Sequence, residues 1–143
     1  MALRAPAQRL TGAERARLVV EIVVTYAAVR LRLRRSDLPG VLAALRAPSR
    51  HAARAQAWAL PLAHDERRLA AVAVRVMRVL PSDARCLARS LVVLAMLARR
   101  GTGTTLVIAT RPEPAFTAHA WVEHAGRPLL PTEGFGDVRL VEL

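Results

Sequence analysis

The order of periodicities along the chain predicts an α+β fold, with helices first and a small antiparallel sheet after them. Three observations carry this. Apolar residues recur at helical spacing up to about residue 100, and β-branched runs follow beyond it. The two regimes meet at Arg99-Arg100-Gly101, where basic residues and a glycine form a helix stop. Finally, 53% of the residues are apolar but only 3% are aromatic. The core must therefore be built from Ala, Val and Leu, which suits packed helices.

Each element has its own signals. Thr11 and Glu14 form a capping box, in which each side chain satisfies an orphan amide of the first turn, and a helix is predicted over 12–34. Val19, Ile22, Val23, Tyr26, Val29 and Leu33 form one apolar stripe of that helix, and Val20, Val24, Ala27 and Leu31 widen it to most of the circumference. Such a helix is expected to be buried on two sides or to dock a partner. Ser36 or Asp37 caps a short helix over 38–45, and after a connection containing Pro, Ser and Arg another helix runs over 65–80 and ends at Pro81. Ser82 or Asp83 caps a helix over 84–100. Strands are predicted over 104–110 and 118–123, with His124-Ala125-Gly126 turning into a third over 127–130 and a short fourth over 138–141.

With 143 residues the chain is one domain's worth, and no repeat or low-complexity tract divides it. No run approaches the roughly 18 apolar residues of a spanning helix, since Glu21 and Arg30 interrupt the most apolar segment. No signal-peptide pattern is visible at the N-terminus, so a cytoplasmic location is expected, without membrane insertion. One cysteine allows no internal disulfide and leaves a thiol to explain.

The formal charge of +11 is carried entirely by arginine. Residues 1–100 hold 19 arginines against 6 acids, and residues 101–143 hold 3 against 5. A basic helical part can attract an acidic peptide or a nucleic acid. Aromatic stacking residues are nearly absent and no nucleic-acid motif is present, so nucleic acid is not an expected partner.

Cys86 falls early in its helix, where unpaired amides and the helix dipole favour an anionic sulfur, and Arg85 and Arg89 add positive charge nearby. A lone cysteine in an apolar helix is more often a small buried hydrophobe. His119 changes the balance. Alternation along 118–123 puts His119, Trp121 and Glu123 on one face of a strand, and Ala118, Ala120 and Val122 on the other. A histidine there can take a thiol proton and return it to a leaving amine.

The segment Arg85-Cys86-Leu87-Ala88-Arg89-Ser90, the strand Thr105-Leu106-Val107-Ile108 and the run Ala118-His119-Ala120-Trp121-Val122-Glu123 with Gly126 resemble the transglutaminase-like cysteine proteases of lasso-peptide biosynthesis. The resemblance is to the stand-alone leader-peptidase half of the split B protein, strongest over 81–131 and looser over the N-terminal helices. It implies a papain/transglutaminase-like catalytic core over 81–143, preceded by a helical part over 1–80. It also implies Cys86 as nucleophile, His119 as base, and removal of a leader from a ribosomally made precursor. The implied partners are the leader region of that precursor, a separate leader-binding recognition protein and a lasso cyclase. A carboxylate a dozen or so residues after the histidine is expected to orient the imidazole. That place falls on Pro131 and Thr132, with Glu133 and then Asp137 as the nearest acids, and Glu133 is the candidate.

His51, His64 and His124 show no paired ligand spacing and read as solvated, so no metal is expected. Gly101 and Gly103 are followed by no Gly-Lys-Ser or Gly-Lys-Thr, and no nucleotide or other cofactor is expected. Two other functions fit the residues. One is acyl transfer to an amine, as in a true transglutaminase; the other is a non-catalytic basic adaptor binding nucleic acid or an acidic peptide. Nothing in the chain reads as a leader-gripping module, so substrate affinity is expected from a partner in trans.

Overall fold

The computed structural model describes residues 10–47, 66–81, 85–111, 114, 116–132 and 139–143. Four helices among them precede a four-stranded antiparallel sheet, the α+β order that the periodicities predict.

The first helix, α1 (Gly12–Arg35), begins on the expected capping box. The Thr11 hydroxyl accepts the Glu14 N–H at 3.3 Å and the Glu14 carboxylate accepts the Thr11 N–H at 2.7 Å. The Thr11 N–H, and after it the Thr11 side chain, holds the Glu14 carboxyl below the usual carboxylate range. Asp37 is the cap of α2 (Leu38–Arg46), accepting the Gly40 N–H at 3.1 Å, while Ser36 closes α1 through its own N–H. The third helix, α3 (Glu66–Met77), stops three residues before the expected end. Its last residues make a tighter turn, with Leu80 N–H donating to the Met77 carbonyl at 3.2 Å. Pro81 explains this, because a residue preceding proline is pushed out of the α region.

The fourth helix, α4 (Arg85–Arg99), is the centre of the molecule. It packs against the three other helices and against the sheet, and every residue from Leu91 to Leu97 is buried. It ends as predicted. Gly101, at φ 76°, donates to the Ala98 carbonyl and Thr102 donates to the Leu97 carbonyl, a pair of bonds that closes a helix end. The proposed caps Ser82 and Asp83 lie outside the described residues.

In the sheet, β1 (Thr105–Arg111) pairs with β2 (Thr117–His124), which turns through Ala125 and Gly126 into β3 (Arg127–Pro128), and β4 (Arg139–Glu142) lies on the other side of β1. Both turn residues have positive φ, as a two-residue hairpin of the required twist demands. The third strand is half the expected length. Leu129 still donates to the Val122 carbonyl at 2.8 Å, but Pro128 and Pro131 have no N–H to extend a ladder.

One expectation for α1 needs correction. Ile22, Tyr26 and Val29 of the proposed stripe are buried, together with Leu18 and Thr25, but Val19 and Val23 are exposed. The inner face is centred on Leu18, Ile22 and Val29, and Thr25 enters it because the Arg99 guanidinium donates to its hydroxyl. Glu21 accepts two bonds from Arg100, both at 2.8 Å, and one from Arg99 at 3.4 Å. Burial lowers the Arg99 pKa, and the Glu21 charge opposes that shift. On the opposite face Val20, Val24 and Leu31 are 46–62% exposed, so the wide apolar circumference is covered on one side only.

Candidate active site

Cys86 is the second residue of α4, within the first turn, where backbone amides have no partner inside the helix. Its thiol is free and half-buried. His119 is the third residue of β2, likewise half-buried. The helix packs on this strand, and one side chain fixes how.

The Ser90 hydroxyl lies 2.8 Å from the Cys86 carbonyl and 2.9 Å from the Ala120 carbonyl, so its single proton is shared between them. Bonding back to the carbonyl four residues earlier is the usual helical habit of serine. Here the same hydroxyl also reaches the strand. Ser90 is fully buried, and the clamp ties the backbone of Cys86 to the residue next to His119. The direction is fixed as well. The Val122 carbonyl takes the Leu129 N–H and so points away from β1, and the Ala120 carbonyl, two residues earlier, points the same way. The Cys86 end of α4 thus stands at the outer edge of β2. In the sequence Ser90 carries no motif of its own. Its signal was the spacing of four from Cys86 in an otherwise apolar helix.

The predicted face of β2 is present. His119 stacks on Trp121 with ring centroids 5.9 Å apart, and the Trp121 indole N–H donates to the Glu123 carboxylate at 2.9 Å. Trp121 is fully buried and Glu123 nearly so. The carboxylate satisfies the indole, which forms a fixed wall against the imidazole. The imidazole is held a second time, for His119 Nε2 lies 2.8 Å from the Pro131 carbonyl oxygen. A carbonyl only accepts, so Nε2 carries the proton and in the neutral ring Nδ1 is the basic nitrogen. This contact falls twelve residues after His119, where a carboxylate was expected.

Glu133 and Asp137, the acids considered for that role, lie outside the described residues, as do His51 and His64. His124 is not simply solvated, since its Nδ1 lies 2.8 Å from the Gly103 carbonyl and joins the β2–β3 turn to the link between α4 and β1. Among the described residues no group of three His, Cys, Asp or Glu is placed to hold a metal. A shallow pocket of about 260 Å³ beside Arg46 and Thr104 lies at the C-terminal end of α4, some 20 Å of helix from Cys86 by the ordinary rise per residue. It is not part of this site. No described helix is long and apolar enough to cross a membrane.

A half-buried thiol in a helix's first turn and a doubly held imidazole on the adjoining strand are the kinds of group that acyl transfer can use. The family model described as Transglutaminase-like superfamily matches residues 18–138, which take in both side chains. No curated protein and no solved structure matches the chain.

Proposed function

Since the chain belongs to the transglutaminase-like superfamily, we propose that it is a cysteine endopeptidase that removes the leader from a ribosomally synthesised lasso-peptide precursor, with Cys86 as nucleophile and His119 as base. The observation that supports this most is the Ser90 clamp, which ties the helical turn of Cys86 to the strand residue beside His119.

The steps follow from the groups present. The Cys86 thiol gives its proton to His119, and the sulfur attacks the carbonyl carbon of the bond between leader and core. A carbon–sulfur bond forms, and the carbon–nitrogen bond breaks as the imidazolium protonates the departing amine. The core leaves with a free amine. Water, losing a proton to His119, then hydrolyses the thioester and releases the leader with a free carboxylate. Glu133 is the acidic candidate for orienting the imidazole.

Recognition is proposed to come from a separate leader-binding protein, with a lasso cyclase consuming the free amine of the core. The exposed apolar face of α1, at Val20, Val24 and Leu31, is the surface available for such a contact. The test incubates the full chain with a precursor encoded in its own gene neighbourhood, with and without the neighbouring leader-binding protein, and weighs the products. Two fragments whose masses sum to precursor plus water support the proposal. Loss of ammonia with a new amide bond would mean a transglutaminase, and no turnover in the complete mixture would oppose an enzyme.

A further inference from the structure

Along the outer face of α1, Val20, Val24, Ala27 and Leu31 follow one another at spacings of four, three and four residues, and all four are exposed. On a helix such spacing makes one straight apolar ridge. Exposed arginines bracket it. Arg17 lies three residues before Val20, and Arg34 and Arg35 lie three and four residues after Leu31. The helix dipole accounts for cations in the last turn but not for Arg17 in the second. By the ordinary rise per residue the two ends of the bracket stand about 27 Å apart.

Both acids of α1 are engaged elsewhere. Glu14 closes the capping box with Thr11, and Glu21 accepts from Arg99 and Arg100. The outer ridge is thus apolar along its length and cationic at both ends, with no carboxylate of its own helix to balance it. We propose that this face of α1 seats an acidic helix of the partner protein, whose apolar stripe meets Val20, Val24, Ala27 and Leu31 and whose carboxylates meet Arg17 at one end and Arg34 and Arg35 at the other. The proposal rests on the reading that recognition is supplied in trans, and it adds the chemistry by which the partner is chosen.

Charge argues against a second copy of this chain as the occupant. Laid antiparallel with the two ridges in register, one copy would bring its Arg17 beside Arg34 and Arg35 of the other, and laid parallel it would set each arginine against itself. Like charges so placed repel, and opposite charges select. A lipid surface fits less well than a helix, because the ridge holds no aromatic residue and its small Val and Ala side chains suit the close approach of another helix.

The test measures binding rather than turnover. The full chain is titrated calorimetrically with the leader-binding protein encoded beside it, at 50 and 300 mM salt. Binding should weaken as salt rises. Neutralising the bracket with Arg17→Gln, Arg34→Gln and Arg35→Gln together should weaken it on the order of tenfold at low salt, since each exposed pair contributes modestly, and should flatten the salt dependence. Replacing Val20, Val24 and Leu31 with Ser should also weaken binding but leave the salt dependence in place. Near-UV circular dichroism checks that both variants remain folded. Binding that ignores salt and the three Gln substitutions overturns the proposal. So does binding of the unaltered chain to phosphatidylglycerol-containing vesicles that the Ser variant loses, which would make the occupant a membrane, or a dimer in sedimentation that the Ser variant loses, which would make it a second copy. Salt-sensitive binding by a mixture that cleaves no precursor refutes the peptidase and supports the docking face, whereas cleavage without measurable binding does the reverse.

Discussion

Ser90 and Cys86 are one helical turn apart, and the buried hydroxyl of the first lies 2.8 Å from the carbonyl of the second. Because the same hydroxyl reaches Ala120, it registers the turn of Cys86 against the strand of His119. Ser90→Ala leaves the Ala120 carbonyl without this donor and should cost about 1–3 kcal/mol of stability. It should lower kcat by more than it raises KM, through misalignment. Ser90→Thr keeps the hydroxyl and should recover most of the rate. Urea unfolding and steady-state kinetics on the three proteins check this. Equal activity in Ser90→Ala would reduce the clamp to a packing contact.

Cys86→Ala should abolish cleavage of the precursor while the melting temperature stays within a few degrees, since a half-buried thiol contributes little packing. Prior alkylation of the single cysteine should do the same to the unmodified chain. Retained cleavage in Cys86→Ala would remove the thioester mechanism.

His119→Ala should reduce the rate on the order of 10² to 10⁴, the usual worth of a proton-transfer group. His51→Ala and His64→Ala should be close to neutral. His124→Ala, which loses the bond to Gly103, should act on stability alone. Comparable rate losses in all four variants would leave the assignment of the base without support.

The capping box gives α1 an acid sensitivity of known sign. The Glu14 carboxyl is held below its usual range, chiefly by the Thr11 backbone N–H and then by its hydroxyl. A carboxyl with a lowered folded pKa stabilises the fold above its unfolded pKa, and that stability is lost as pH falls through the folded value. Glu14→Gln should therefore differ from the unaltered chain near neutrality and converge with it in acid below the ordinary carboxylate pKa. Thermal melts at pH 7 and pH 3 read the difference. A constant gap at both would show that the charge plays no part.

Partner docking on α1 is testable at exposed positions. Val20, Val24 and Leu31 lie on the face away from the core, so replacing all three with Ser should leave the melt nearly unchanged. The same change should weaken stimulation by the leader-binding protein. Full stimulation of the triple variant would place the contact elsewhere.

Much of this was legible in the sequence where the signal is local. The Thr11–Glu14 box, the stop at Gly101 and the pairing of His119 with Trp121 and Glu123 all depend on residues within a few positions of one another. What escaped depends on distant partners. Thr25 is buried because Arg99 meets it, Val19 and Val23 face outward because the core centres on Leu18, and Ser90 acts through a carbonyl thirty residues away. The contact at Nε2 is to the main chain. A carbonyl has no letter in the sequence, and only the path of the chain from Leu129 to Pro131 brings that oxygen to the ring.

The brevity of β3 has a bearing on how copies of this chain tolerate one another. With only Arg127 and Pro128 in that strand, the rim of β2 beyond Val122 would present unpaired carbonyls, the usual template for edge-to-edge aggregation. The Ser90 hydroxyl occupies the Ala120 carbonyl on that rim. A contact that ties Cys86 to the strand of His119 thus also blunts the sheet, so loss of the Ser90 hydroxyl should show as turbidity in concentrated samples.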